Sequence, residues 1–195
     1  MSYPLLLLFF YLVGAIPTGV ILTRLAGHGD IRKAGSGNIG ATNVYRVGGR
    51  RLGILTLIGD TLKGLLPMLY IVSVPEFSPA QVGTAALALF LGHCFPVYLL
   101  FKGGKGVATA LGIFIVLSPL AVLGALLVFA GVLWKWRYIS LASISAAFAI
   151  PFLVLLATRS LPTFSVSLII AVLVIVRHHS NIARLRNGTE SRFRA

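Results

Sequence analysis

Long apolar runs alternate with short polar segments along this chain, and the runs have the length of membrane-crossing helices. Such a helix needs about 20 apolar residues. Five runs have about this length, over residues 3–24, 52–74, 80–101, 139–157 and 161–177. A further apolar stretch, from Val107 to Trp134, could form one long tilted helix or two short ones. Pro119 lies near its middle and disfavours helical geometry at Ser118, the residue before it.

The basic residues decide between one helix and two in this stretch. With two helices, four basic clusters that hold 15 of the 17 Lys and Arg residues fall on one side of the membrane, over residues 24–51, 102–105, 135–137 and 177–194. Arg159 falls on the opposite side and Lys63 within a helix. Cytoplasmic loops carry an excess of Lys and Arg. We therefore predict an all-α integral membrane protein with seven transmembrane helices, an extracytoplasmic N-terminus and a cytoplasmic C-terminus, forming a single domain over residues 1–195.

Composition supports a membrane location and argues against several other classes of protein. Hydrophobic residues make up 57% of the chain and charged residues 11%, whereas soluble domains have about 45–50% and 25%. The net charge of +13 does not indicate nucleic-acid binding, because the basic residues lie between apolar runs. Cys94 is the single cysteine, so no intrachain disulfide can form, and no cluster of Cys and His predicts a metal site. Neither metal nor cofactor is expected.

Three polar segments, residues 33–51, 92–109 and 177–190, fall on the same predicted cytoplasmic face. Glycines allow backbone N–H groups to approach a ligand, and helix N-termini attract anions. The segments also supply cationic side chains and neutral hydrogen-bonding groups. The candidate phosphate-binding residues from this pattern are Ser36, Gly37, Asn38, Thr42, Asn43, Arg46, Lys102, Gly103, Gly104, Lys105, Gly106 and Asn181, with Ser143 added for its similar depth in the membrane. The pattern predicts a pocket for one or two phosphates at the membrane surface.

Two nucleotide-binding motifs resemble parts of these segments and are rejected. The hexamer GSGNIG, residues 35–40, has the G-x-G-x-x-G spacing of a dinucleotide-binding loop, but it follows an apolar helix where that motif requires a strand. FKGGKGVAT lacks both the first glycine of a P-loop and the Ser or Thr that follows its lysine. What remains is a phosphate cradle of backbone N–H groups without a nucleotide-binding fold.

Two groups of titratable residues keep more than one interpretation. Asp60 and Lys63 are three residues apart on one predicted helix, so they could form a structural ion pair or line a substrate site. His178 and His179 could bind a phosphate or a hydroxyl, or could cap a helix at the membrane interface. The sequence does not distinguish the two histidines. Serine, histidine and aspartate show no catalytic arrangement.

The three segments resemble the motifs of a known family. SGNIGATNVYRVGG, GHCFPVYLLFKGGKGVAT and RHHSNIARL are similar to the three motifs of the bacterial acyl-phosphate:glycerol-3-phosphate acyltransferases, the PlsY family. The resemblance implies transfer of an acyl group from a fatty acyl phosphate to the 1-hydroxyl of sn-glycerol 3-phosphate, giving lysophosphatidic acid and phosphate. It implies catalytic roles for Ser36, Arg46, Lys105, His178 and Asn181, a glycerol-phosphate site at Gly103, Gly104 and Gly106, and a structural role for Glu190.

The resemblance also implies a place for the reaction. The protein is expected in the bacterial inner membrane with its active site at the cytoplasmic face, using two small-molecule substrates, releasing a membrane lipid, and acting with an acyltransferase that produces acyl phosphate. Acyl phosphate is already activated, so we expect direct attack by the glycerol hydroxyl, with its proton passing to a substrate phosphate. His178 as general base is the competing mechanism. A transporter for a phosphorylated anion and a lipid-binding scaffold are the alternative functions.

Overall fold

The computed structural model describes residues 2–193, which form nine α-helices, two short 3-10 helices and no β-strand. The α-helices, in chain order, are α1 (Tyr3–Ala15), α2 (Thr18–Leu25), α3 (Ala41–Val72), α4 (Pro79–Cys94), α5 (Val107–Leu117), α6 (Pro119–Trp136), α7 (Ile139–Thr158), α8 (Leu161–Arg177) and α9 (His179–Arg186). The 3-10 helices are Ile31–Lys33 and Val97–Leu99. The prediction of an all-helical protein is confirmed for this part of the chain.

Within these residues, four apolar segments are long enough to cross a membrane: Ala41–Val72, Pro79–Leu99, Pro119–Trp136 and Ile139–Thr158. The number rises to six if α1 with α2, bent by 42°, and α8 with α9, bent by 54°, each form one span. Helix α5 is apolar but has only 11 residues. The break predicted at Ser118 is present, because α5 ends at Leu117 and α6 begins at Pro119.

Two predicted helices differ from the structure where proline or glycine interrupts them. The prediction of one helix over residues 3–24 is wrong in detail, since the chain breaks between α1 and α2 at Ile16 and Pro17. The helix predicted over 52–74 starts earlier, at Ala41, and is kinked where Gly49 has φ 86° and ψ 174°. Glycine tolerates this conformation and other residues do not.

The contacts divide the chain into two compact units, the first ending at Ile113 and the second beginning at Phe114. In the first unit, α1 packs on α4, and α2 and α4 pack on α3. Glycines allow the closest approaches, because a Cβ on Gly14 would collide with the backbone of Leu89 and one on Gly64 with that of Thr109. Small residues serve this purpose between membrane helices, where side-chain packing replaces the hydrophobic effect.

In the second unit, α7 packs against both α6 and α8, and the short helix α9 contacts α7 and α8. Ser160 caps the N-terminus of α8 by accepting a hydrogen bond from the Thr163 N–H. Helices α7 and α8 begin at the predicted residues, 139 and 161. This unit carries the third polar segment, and the first unit carries the other two.

Candidate phosphate-binding site

The first polar segment forms a glycine-shaped loop that leads into α3. Gly35 and Gly37 both have left-handed backbone conformations, with φ of 59° and 70°. A Cβ on Gly35 would also collide with the side-chain oxygen of Asn43. Gly40 then occupies the N-cap of α3. The hexamer GSGNIG therefore opens a helix, as in a dinucleotide-binding loop, but it follows the 3-10 helix Ile31–Lys33 and no strand.

Asn43 holds this loop from beneath. The side chain is buried, with 2% of its surface exposed. Its Oδ1 accepts a hydrogen bond from the Ser36 N–H at 2.8 Å. Its Nδ2 donates toward three backbone carbonyls, those of Asn38 at 2.8 Å, Ala34 at 3.1 Å and Ile31 at 3.3 Å. The amide of Asn43, predicted to bind substrate, is thus engaged with the loop backbone, which makes it a support for the loop.

The other predicted residues of this segment lie on its accessible side. Ser36 and Arg46 are exposed, and Thr42 is half-buried. Arg46 follows Thr42 by four residues, so both lie on the same face of α3 near its N-terminus. Asn38 accepts a hydrogen bond from the Gly40 N–H at 2.9 Å, which closes the turn before the helix. A hydroxyl, a guanidinium and a helix N-terminus are therefore close together in the chain at the start of α3.

Two other cations in this region share one carboxylate. Asp30 forms ion pairs with Arg32 at 2.6 Å and with Arg24 at 3.3 Å. The side-chain hydrogen bond from Arg32 is the main cause that holds the pKa of the Asp30 carboxyl well below its usual range. These two arginines precede the first segment and bind a carboxylate, whereas Arg46 lies in the second turn of α3, next to the glycine loop, and is the candidate anion-binding guanidinium.

The second polar segment forms another glycine loop, which leads into α5. The Gly104 N–H donates to the His93 carbonyl at 3.1 Å, so the loop lies against the end of α4. Gly106 has φ 79°, and a Cβ there would collide with the ring of Phe90. Helix α5 begins at the next residue, Val107. Lys105, predicted to contact phosphate, is thus two residues before a helix N-terminus, where the helix dipole favours an anion.

One apolar cluster holds the two loops together. Leu99, from the second segment, packs with Ile39 and Val44 of the first segment, and Ile31 of the preceding 3-10 helix and Val20 of α2 complete the group. All five side chains are at most 7% exposed. The structure therefore brings together the first two of the three predicted segments, and both of their glycine loops precede helix N-termini.

The third segment lies in the second unit and is organised around Glu190. The Glu190 carboxylate accepts hydrogen bonds from the Ser140 hydroxyl, the Asn181 Nδ2 and the Arg184 Nε, each at 2.7 Å. Burial alone would raise the pKa of Glu190, but these three donors outweigh it and the pKa is lowered. Ser143, also buried, follows Ser140 by three residues on α7 and lies on the same helix face.

The structure separates the two neighbouring histidines. His178 is 3% exposed and lies at the bend between α8 and α9. Its Nδ1 lies 2.7 Å from the Val174 carbonyl, which can only accept, so Nδ1 is the donor in this contact. His179 is exposed, with its Nδ1 3.1 Å from the Val176 carbonyl. The structure therefore distinguishes the two histidines by burial, which the sequence alone does not.

Sequence reasoning missed a buried polar cluster beneath the second loop. Lys63 Nζ and Asp60 Oδ1 are 2.8 Å apart, and His93 Nδ1 lies 3.8 Å from the same oxygen. Lys63 also donates to the Ile16 carbonyl at 2.8 Å, in the break between α1 and α2. The three-residue spacing indicates the ion pair, whereas no spacing rule connects His93 to it.

The chain matches a protein family over almost its whole length. Residues 4–188 match the family model for glycerol-3-phosphate acyltransferase. The chain is 62% identical over 194 residues to the glycerol-3-phosphate acyltransferase of Syntrophotalea carbinolica, covering 100% of this chain and 99% of that protein. It is 59% identical to the corresponding protein of Geotalea daltonii, with 94% of each chain covered.

Two crystal structures share the fold. They are of PlsY (YgiH), an integral membrane glycerol 3-phosphate acyltransferase, in a glycerol 3-phosphate form and a lysophosphatidic acid form. Their TM-scores are 0.94 and 0.91, with sequence identities of 41% and 40%. In both cases the alignment covers 100% of this chain and 96% of the other.

Proposed function

This chain belongs to the glycerol-3-phosphate acyltransferase family, and we propose that it transfers a fatty acyl group from acyl phosphate to the 1-hydroxyl of sn-glycerol 3-phosphate. The products are lysophosphatidic acid and inorganic phosphate. The observation that carries the proposal is the pair of glycine loops, each preceding a helix N-terminus and joined by one apolar cluster. Two helix N-termini, each preceded by a glycine loop, suit a reaction between two phosphate-bearing substrates. The family favours this function over a transporter or scaffold.

The two glycine loops supply separate groups of residues, and we assign each group to one substrate. The second loop supplies Lys105, Lys102 and the N-terminus of α5, which we assign to the phosphate of glycerol 3-phosphate. The first loop supplies Ser36 and Arg46, which we assign to the phosphate of the donor. Arginine suits bidentate contact with phosphate oxygens. These cations would stabilise the departing phosphate and orient the two reactants, which are the main contributions that such a reaction needs.

The acyl transfer needs no covalent enzyme intermediate. The glycerol hydroxyl oxygen attacks the carbonyl carbon of acyl phosphate, the bond from that carbon to the phosphate oxygen breaks, and inorganic phosphate leaves. The hydroxyl proton passes to a phosphate oxygen of a substrate. His178 and Asn181 of the third segment are proposed to bind and orient the substrates. In the competing mechanism, the Nε2 of His178 takes the proton.

A phosphate-release assay tests the proposed reaction. The purified protein is given palmitoyl phosphate with and without glycerol 3-phosphate, and released phosphate and lysophosphatidic acid are measured. We expect equal amounts of both products, formed only when both substrates are present. Palmitoyl-CoA replaces palmitoyl phosphate as the donor control and should give no product. Phosphate release that does not depend on glycerol 3-phosphate contradicts the proposal.

A rate profile for His178→Gln separates the two proton routes. Direct transfer to a substrate phosphate predicts a moderate fall in kcat with an unchanged shape of the pH profile. General-base catalysis predicts a fall of about 10²–10⁴-fold and loss of one limb of the profile. His179→Gln is the matched control, since that ring is exposed.

We also propose that the chain crosses the bacterial inner membrane seven times, with all three polar segments in the cytoplasm. The four long segments, α1 with α2, α5 and α8 supply seven crossings, and α9 lies on the cytoplasmic side of its bend from α8. Helix α5 is about 16 Å long at 1.5 Å per residue, so the hydrocarbon layer must be thinned around it. In a Cys94→Ala background, Glu76→Cys should react with an impermeant maleimide in intact cells. Asn187→Cys should react only after permeabilisation, and the reverse pattern contradicts the topology.

A further inference from the structure

The cluster of Asp60, Lys63 and His93 lies directly beneath the second glycine loop. The three residues are 2%, 7% and 3% exposed, on two different helices of the first unit. The salt bridge between Asp60 and Lys63 neutralises both charges, and the Asp60 carboxylate lies beside the imidazole of His93. Burying charged groups costs free energy that their pairing must offset. Charged residues are therefore rare within membrane helices and are usually functional.

The cluster is anchored on a third element. Lys63 donates a hydrogen bond to the carbonyl of Ile16, at the break between α1 and α2. Lysine thereby connects α3 to this break, and Asp60 connects α3 to the end of α4. Three elements of the first unit therefore meet at the Asp60 carboxylate, and the His93 ring packs beside it, with Nδ1 3.8 Å from Oδ1.

The second glycine loop packs closely against His93. A Cβ on Gly104 would collide with Nε2 of the His93 ring, and one on Gly103 would collide with the His93 carbonyl oxygen. The Gly104 N–H donates to that same carbonyl. Neither glycine has a left-handed conformation. Close approach to His93, and not backbone strain, is therefore the reason that both positions lack a side chain.

We propose that His93 is a positioning residue for glycerol 3-phosphate: its ring, placed by Asp60 and Lys63, sets the height of the Gly103–Gly104 backbone under the phosphate. This inference rests on the proposed function, in which that loop binds glycerol 3-phosphate. His93 acts through the loop and does not touch the reacting atoms. A purely structural cluster would affect folding and both substrates alike, whereas a positioning role acts on one substrate.

A double-mutant cycle on the full-length protein tests the contact between ring and loop. Wild type, Gly104→Ala, His93→Ala and the double variant are purified in detergent, and each is checked by size-exclusion chromatography. KM and kcat are then measured for glycerol 3-phosphate and for palmitoyl phosphate. Gly131→Ala is the matched control, because a Cβ at Gly131 meets no atom within 4 Å. His93→Ser provides a second background with a small side chain.

Gly104→Ala is expected to raise the KM for glycerol 3-phosphate strongly when His93 is present and weakly when it is replaced. Gly104→Ala raises the KM for glycerol 3-phosphate about tenfold or more, because overpacking costs about 1–3 kcal/mol and 1.4 kcal/mol is tenfold. The KM for palmitoyl phosphate changes less than about twofold, as expected for energetically independent sites. Without the ring, in either His93 background, the same alanine changes the KM less than about threefold, because contacting residues are coupled. Equal effects in all backgrounds overturn the proposal.

Hydrogen exchange gives a readout that does not depend on turnover. Exchange of the amides over residues 102–106 should rise at least about fivefold in His93→Ala, because the loop loses its support and opens locally more often. Gly131→Ala should exchange at the wild-type rate. Unchanged exchange in His93→Ala overturns the positioning role. A wild-type protein without glycerol 3-phosphate-dependent phosphate release instead refutes the proposed function, so the two failures are distinguishable.

Discussion

The replacement Asn43→Asp should disorder the first glycine loop in a way that acid partly reverses. The two side chains have the same shape, so the oxygen that accepts from the Ser36 N–H is retained. The second terminal atom changes from a donor into an acceptor that faces three carbonyl oxygens. An ionised carboxylate is repelled by them, so the folded loop raises the pKa of the introduced carboxyl group.

The expected magnitude follows from the hydrogen bonds that are lost. The Asn43 Nδ2 has two hydrogens, so two bonds of about 1 kcal/mol each disappear, and buried carbonyls left unsatisfied add about 1 kcal/mol or more. A total of about 3 kcal/mol makes the ordered loop roughly 150-fold less favourable. The neutral carboxyl donates one hydrogen bond and is stable below its raised pKa. Loop order is therefore recovered in part at low pH and lost as the pH rises through that pKa.

Two assays follow this effect. Amide exchange over residues 31–40 reports loop order, and kcat/KM for both substrates between pH 5 and 8 reports its consequence. Asn38→Ala is the control, since it removes one hydrogen bond to the Gly40 N–H and should cost about 1 kcal/mol. Wild-type exchange and wild-type kcat/KM in Asn43→Asp at pH 8 would refute the reasoning that this amide supports the loop.

Four further outcomes are expected. Glu190→Gln should lower the melting temperature, because the amide of the new glutamine meets the Arg184 donor. Adding Arg184→Ala should restore part of the loss. Additive effects of the two substitutions on the melting temperature would contradict this. Because the pKa of Glu190 is lowered, its stabilisation should be present above the unfolded-state pKa and vanish as the pH falls through the folded-state value, as acid melting curves can check. Gly106→Ala, with φ 79°, should reduce folded yield, whereas Gly131→Ala should not. Ser36→Ala should lower kcat/KM in the phosphate-release assay while the melting temperature is retained, because the side chain is exposed.

The parts of the fold that could be predicted depend on local rules. Apolar run length gives the starts of α7 and α8, and the proline rule locates the break at Ser118. The proline rule also disfavours helical geometry at Ile16, the residue before Pro17. The length of the apolar run there predicts a single helix instead. The kink at Gly49 lies in the pair Gly48 and Gly49, and the pattern of hydrophobic residues does not indicate it.

Within the candidate site, too, features that depend on local sequence could be predicted and those that depend on tertiary contacts could not. Glycine spacing and the position of Lys105 before an apolar run predict a phosphate loop at a helix start, and α5 does begin two residues later. The supporting role of Asn43 depends on carbonyls 5 to 12 residues away in the chain. That of His93 depends on a loop that folds back onto the end of its own helix. Such contacts are set by tertiary packing, so residue type and spacing do not reveal them.

Both glycine loops have the same construction, and this has a consequence for how substitutions act. Each loop rests on a buried polar residue, Asn43 or His93, and exposes a polar group, Ser36 or Lys102, on its accessible side. A change at an exposed group removes a contact and leaves the backbone cradle in place. A change at a buried support moves the loop together with the polar side chains and the helix N-terminus beside it. Because hydrogen bonds to phosphate weaken steeply with distance and angle, the supports should affect substrate binding at least as strongly as the residues that touch the substrate.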